Sequence, residues 1–218
     1  MLSPLDFVET LENFHLIHKL DLCIVQQVCT DYSALAAAGE PIVPVSVNLS
    51  RLDFQLCNIF DLVDGYREKY NMPKNLLDIE ITEGALNDTT GALKQEIDRF
   101  RLGGYQVWID DFGSGYSSLN VLSEYTFDVL KLDMKFLRTM DKNPNAGTLL
   151  YYIVYAAQEM GLQALTEGVE TQEHYDFLKK VGCNKAQGYL FGKPLPLAEC
   201  RKATRDKGME WETVNVRR

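Results

Sequence analysis

The feature that most constrains this chain is an alternation that runs through nearly all of it: short apolar runs of strand size, separated by amphipathic segments of helix size. The candidate strands are residues 43–49, 77–82, 106–110, 129–133, 163–167 and 185–189. Helical patterns fall between them at residues 54–70, 90–102, 117–124, 146–160 and 173–181, and a final one begins near Leu197. Ahead of the first strand, Ser3-Pro4 followed by Phe7, Val8 and Leu11 reads as a capped short helix. A longer helix carries Leu20, Ile24, Gln27 and Val28 through Tyr32 and Leu35 to a stop at Gly39, just before Pro41. With no low-complexity linker and no sequence repeat, the pattern predicts one α/β domain around a parallel sheet. Six strands are counted, whereas a closed (β/α) barrel takes eight, so either the sheet is open or two strands lie outside the sequence.

Composition narrows the chemistry. With 218 residues, 46% of them hydrophobic and 24% charged, the chain is long enough for one ordinary domain with a sizeable core. Its net charge of −9 argues against binding a nucleic-acid polymer, which takes a lysine and arginine surface. An acidic protein that handles phosphates needs metal cations between its carboxylates and the substrate. The longest apolar stretches, such as residues 149–157, are too short to span a bilayer, and the N-terminus has no basic flank followed by an apolar run, so no membrane segment and a cytoplasmic location are expected. Cys23, Cys29, Cys57, Cys183 and Cys200 form no C-x-x-C pair and read as reduced core thiols. His15, His18 and His174 have no partner at metal-ligand spacing and read as surface or helix residues.

Each candidate strand ends in a polar residue suited to a metal or a phosphate. Asn48 closes the first, in Val47-Asn48-Leu49-Ser50; Glu80 and Glu83 lie in Glu80-Ile81-Thr82-Glu83; Asp110 and Asp111 open Asp110-Asp111-Phe112-Gly113. Lys131 and Asp133 follow in Leu130-Lys131-Leu132-Asp133, then Glu167 and Glu170 in Glu167-Gly168-Val169-Glu170, and last Gln187 in Gln187-Gly188-Tyr189. In a parallel barrel all carboxyl ends of strands meet on one face, so these groups converge. Clustered carboxylates repel one another and favour divalent cations, and oxygen ligands suit magnesium or manganese better than zinc or copper. Two such ions would activate a water and stabilise the leaving oxygen of a phosphodiester, so metal-assisted phosphodiester hydrolysis is the reaction class indicated.

Each motif also has a plainer reading. Residues 110–115 read equally well as a strand-ending turn in which aspartates cap amides and glycines take positive φ. Glu80 and Glu83 fit a solvated rim, and Asn48 with Ser50 fits a helix cap. Gly168, Gly188 and Gly192 serve the backbone. Lys131 is harder to explain away, because a lysine buried on a central strand is costly unless it faces charge or a cavity. The recurrence of carboxylate or amide at successive strand ends favours function.

Taken in order, these motifs resemble the EAL-domain phosphodiesterases of bacterial cyclic di-GMP signalling. The stretch Asp110-Asp111-Phe112-Gly113-Ser114-Gly115-Tyr116-Ser117-Ser118-Leu119 and the run Gln187-Gly188-Tyr189-Leu190-Phe191 carry the likeness together with the motifs above, and it reaches to about Leu197. The resemblance implies a TIM-like (β/α) barrel and hydrolysis of cyclic di-GMP to linear pGpG with two ions, Mg2+ or Mn2+. By that resemblance Asn48, Glu80, Asp110 and Asp111 are metal ligands, with Asp111 facing the second ion. Lys131 is similar to the family's water-orienting lysine and Glu167 to its ligand or general base. Gln187 resembles the glutamine near the metals and substrate, and Asp133 belongs to the same substrate and loop group. Glu83 resembles the glutamate that holds the loop of residues 112–118, which the family uses to couple dimerisation to metal binding. A homodimer and an upstream GGDEF or sensory domain are also implied.

In the family a Glu-Ala-Leu strand with a further acidic ligand precedes the segment that resembles Ser3-Pro4-Leu5-Asp6-Phe7. This chain begins at Met1, so the expectation is an EAL domain over residues 1–205 without its first two strands, and a tail over 206–218. The competing expectations are a catalytically inactive EAL module that binds cyclic di-GMP or a partner protein, and an unrelated metal-dependent barrel hydrolase.

Overall fold

Helices and strands succeed one another as the alternation requires in the computed structural model of the chain, which describes residues 3–86, 91–114, 120–140 and 142–208. They fall into two compact units: the described residues of 1–107 and 121–126, and those of 108–120 and 127–211.

The first unit contains α1 (Pro4–Asn13), α2 (Ile17–Ala37), β1 (Val45–Asn48), α3 (Arg51–Leu56) and α4 (Ile59–Lys69). A 3-10 turn (Lys74–Leu76), β2 (Leu77–Thr82), a second such turn (Glu83–Leu86), α5 (Ala92–Leu102) and all but the first residue of α6 (Asn120–Glu124) complete it. Pro4 starts α1 because it gives up no helical hydrogen bond there, and the Asp6 carboxylate accepts the Ser3 N–H at 2.8 Å. Gly39, at φ 64°, stops the chain after α2. Pro44 has no N–H for a ladder, and β1 begins only after it, pairing in parallel with β2 from Val45↔Leu77 to Asn48↔Glu80. Helix α2 packs on α3, α4 and β1. In this unit Val25, Ile59, Val63, Ile79, Ile81, Ile97 and Phe100 are fully buried, with the Phe60 and Tyr105 rings edge-on to Phe100 at 5.1 and 5.6 Å.

The single helix expected over residues 54–70 is two. Cys57 is extended, at φ −152° and ψ 168°, and separates α3 from α4. The side-chain amide of Asn58, at the start of α4, donates to the Asp61 carboxylate at 2.5 Å. The apolar spacing runs through this break without a change of period, so periodicity could not reveal it.

The second unit contains β3 (Val107–Phe112) from Trp108 on, β4 (Val129–Leu132), α7 (Lys135–Met140), α8 (Pro144–Glu159), β5 (Gln163–Thr166), α9 (Gln172–Lys180), β6 (Lys185–Ala186) and α10 (Leu197–Asp206). Strands β3 to β6 pair in that order, each pair parallel. All four residues of β4 are buried, as a strand with neighbours on both sides should be. Helix α8 packs on α7 and β5, burying Leu150, Val154 and Ala157. Against expectation β3 continues through Asp111 and Phe112 and β6 stops at Ala186, while β4 and β5 each end one residue early. Helix α7 was not foreseen, because six residues are too few to show a period. Of the predicted helix at residues 117–124, the first three residues lie outside the described ones, as does Thr90 of the helix at 90–102. The tail from Met209 onward, including Trp211, Arg217 and Arg218, lies outside them too. All five cysteines are free.

In the first unit the start of α3 gathers three acids. Ser50 caps the helix: its Oγ accepts the Leu52 N–H at 3.3 Å and donates to Glu12 Oε1 at 2.7 Å, while Asp53 Oδ2 accepts the Ser50 N–H at 2.8 Å. Asp53 is fully buried, and its Oδ1 has no donor among the described residues. Burial first, then the neighbouring Asp21, push the Asp53 carboxyl up to about 8, and burial also raises Asp21. A proton shared between Asp53 and Asp21 would meet the need of both. Because the folded-state value lies above the ordinary one of 3.8, this contribution to stability is complete below about pH 4 and is lost as pH rises through about 8. Asp53→Asn keeps the cap and removes the titration. Denaturation of both proteins from pH 5 to 8 should show the variant gaining on the wild type as pH rises. A difference that stays constant across that range contradicts the shared proton.

Candidate metal centre

The centre is built on the carboxyl end of the second unit's sheet, and its first device is a bulge. Ile109 is in register with Leu130 and Phe112 with Leu132, so β3 spends one residue more than β4 over the same stretch. The irregularity is taken up at Asp111, whose φ of 57° is uncommon for a residue other than glycine. In a regular strand the side chains of Asp110 and Asp111 would point to opposite faces. Here carboxylate oxygens of Asp110, Asp111 and Glu167 lie within 4.8 Å of one another. Gly113 follows at φ 88°, and a Cβ at that position would meet the Phe136 ring at 2.3 Å, so only glycine fits. The turn reading of this motif also holds, since Asp110 Oδ1 accepts the Asp111 N–H at 2.8 Å. The turn is what brings the aspartates together.

Lys131 stands on β4 between the two flanking strands. Its ammonium is 2.9 Å from Asp110 Oδ1 and 2.9 Å from Glu167 Oε1, and its side chain is only 5% exposed. Glu167 directly follows β5, and its N–H is fixed on the Leu132 carbonyl at 3.0 Å. Burial holds the Glu167 carboxyl above its ordinary range; Lys131 opposes this, and Asp110 and Asp111 add to it. Asp111 is raised as well, by burial first and then by repulsion from Asp110 and Asp133, against Lys131 and Lys135. Asp110 and Glu167 thus share one ammonium, with Asp111 as a third carboxylate beside them. Their oxygens are able to hold a hard divalent cation, and such a charge would relieve the repulsion that raises both acids.

The other residues singled out from the sequence are placed as follows. Asp133, buried, leaves β4 and caps α7: its Oδ1 accepts the Lys135 N–H at 2.6 Å. Gln187 follows β6, its N–H bound to the Thr166 carbonyl and its carbonyl to the Val169 N–H. With Glu167, Met134, Arg138, Glu170 and Tyr189 it lines a cleft of about 160 Å³. Gly188 serves the backbone, since a Cβ there would lie 2.3 Å from Val169 backbone atoms. In the first unit Asn48, exposed at the end of β1, and Glu80, buried within β2, are register partners, and Glu83 is buried one residue past β2. The helix cap belongs to Ser50 and not to Asn48. Of the loop assigned to residues 112–118, residues 115–118 lie outside the described ones. Sequence reasoning missed Lys135, Phe136 and Arg138; Gly113 was the one signal that something must press on the chain there.

The EAL domain family matches residues 1–194. The chain is 35% identical over 196 residues to the cyclic di-GMP phosphodiesterase PdeR of Escherichia coli, covering 90% of this chain and 30% of that protein. It is 32% identical over 197 residues to the cyclic di-GMP phosphodiesterase RocR of Pseudomonas aeruginosa, covering 90% of this chain and 50% of that protein. Among solved structures, the PaMucR phosphodiesterase in complex with c-di-GMP matches with a TM-score of 0.84 at 28% identity, over 91% of this chain and 80% of that one. The chain therefore spans a half or less of the length of these curated relatives. The fold is the α/β, TIM-like barrel type of these structures, represented by six strands among the described residues.

Lys131→Met leaves Glu167 and Asp110 buried without their ammonium. In metal-free buffer at pH 8 this should cost roughly 3 kcal/mol of stability, since breaking a buried pair strands its partner. Glu167 then holds its proton to still higher pH in the folded state, so the loss should be smaller at pH 5 than at pH 8, because falling pH favours the neutral carboxyl. Chemical denaturation at the two pH values measures both; a loss independent of pH contradicts the pairing.

Proposed function

The chain belongs to the EAL domain family, and on that premise we propose that it hydrolyses cyclic di-GMP to linear pGpG with two divalent cations, Mg2+ or Mn2+. The observation that carries this reading is Lys131, buried and held between Asp110 and Glu167, with Asp111 in the same cluster. Asn48, Glu80, Asp110 and Asp111 are the proposed ligands. When bound, the cations supply Lewis acidity toward the phosphodiester and lower the pKa of an attacking water.

The side chains do the rest. Lys131 donates to the attacking water and neutralises charge that builds on the phosphoryl oxygens. Glu167, whose carboxyl burial has made more basic, accepts the proton that this water releases, or adds an oxygen ligand. Gln187 orients the substrate beside Glu167, and Asp133 holds the turn below it. Glu83 takes the loop-holding role that the resemblance implies. A homodimer, a neighbouring GGDEF or sensory domain and a cytoplasmic setting belong to the same proposal. No described helix is long and apolar enough to cross a membrane.

Chromatography of cyclic di-GMP incubated with the 218-residue chain and Mg2+ or Mn2+ tests this. Conversion to pGpG is expected, with Glu167→Gln and Lys131→Met each slower by about 100-fold or more. Binding of cyclic di-GMP without turnover in the presence of either cation would make the chain a receptor instead.

A further inference from the structure

We propose that Lys135 is a positioning residue for the metal centre: it ties down the turn after β3 so that Asp111 keeps the backbone conformation that aims its carboxylate into the cluster. The metal role of that cluster rests on the proposed function; the tie itself does not.

Three contacts from residues 133–136 grip residues 112–114. The Asp133 N–H donates to the Phe112 carbonyl at 3.2 Å. The Phe136 ring fills the space where any side chain on Gly113 would lie. The Lys135 ammonium donates to the Ser114 carbonyl at 2.8 Å. Ser114 in turn donates its N–H to the Asp111 carbonyl at 3.0 Å, so the lysine acts on Asp111 through one intervening residue. Lys135 itself is held at its root, because its N–H is bound by Asp133 Oδ1. Asp111 needs such a hold. A left-handed φ is uncommon for a residue with a Cβ, though aspartate adopts it more readily than most, and contacts on the following turn favour it.

The charge of Lys135 acts in the opposite sense. It lies near Asp111, and a cation bound there would feel its repulsion. Removing Lys135 as a mere charge would therefore tighten cation binding, whereas removing it as a tie would weaken it. The sign of the change separates the two roles.

The experiment compares Lys135→Met and Lys135→Arg with the wild-type chain by two readouts. The first is Mn2+ affinity without substrate, from the electron paramagnetic resonance signal of free Mn2+. The second is amide hydrogen exchange of residues 110–114 in metal-free buffer. Lys135→Met should bind Mn2+ about fivefold more weakly and exchange faster in that segment, and Lys135→Arg, which keeps a donor, should move both values back toward wild type. Unchanged exchange in Lys135→Met overturns the tie, and unchanged or tighter Mn2+ binding overturns the positioning role. If the wild-type chain binds no Mn2+, the proposed function fails, and the exchange measurement alone decides for or against the tie.

Discussion

A buried ammonium held by two carboxylates from neighbouring strands is the interaction on which the second unit's site depends. Lys131 lies on a strand flanked on both sides, where desolvation of a lone ammonium would be prohibitive. Asp110 on one flank and Glu167 on the other make it tolerable at 2.9 Å each. Even so the balance is incomplete. Asp111 joins the cluster as a third carboxylate, and burial with mutual repulsion holds both Asp111 and Glu167 above their ordinary range. A site left this negative by its own side chains is suited to taking up further positive charge, which is what a divalent cation supplies.

Geometry of this kind comes from backbone devices more than from side-chain packing. Parallel strands bring the ends of β3, β4 and β5 to one edge. The bulge at Asp111 then turns two consecutive aspartates to the same side, which no regular strand can do. Gly113 lets Phe136 press against the chain, and the capped start of α7 holds Phe136 and Lys135 where they grip it. The first unit solves a similar problem differently. There burial raises the neighbouring Asp21 and Asp53 carboxyls, which favours a proton where the second unit has an ammonium.

The alternation of apolar runs and amphipathic segments was enough to locate the six described strands and most helices, because strand and helix periods differ and most elements here are long enough to show one. It failed where the signal is local. The break at Cys57 leaves the apolar spacing intact, and α7 is too short to have a period. At the site, Lys131 was legible from chemistry alone, since a charge between apolar neighbours on an inner strand demands partners. Asp110, Asp111 and Glu167 were legible as strand-end acids. The bulge was not, for nothing in Asp110-Asp111-Phe112 announces an extra residue; only Gly113 hints at an unusual path. Lys135 was invisible, because its role exists only through the carbonyl of Ser114, and backbone partners leave no trace in sequence.

The central claim is that Asp110 and Asp111 together hold a divalent cation beside Lys131 and Glu167. Anomalous diffraction from a crystal of the chain grown with Mn2+ tests it most directly. The account predicts a manganese peak about 2.0–2.3 Å from carboxylate oxygens of Asp110 and Asp111. A fully ordered site with these oxygens in place and no manganese between them would contradict it.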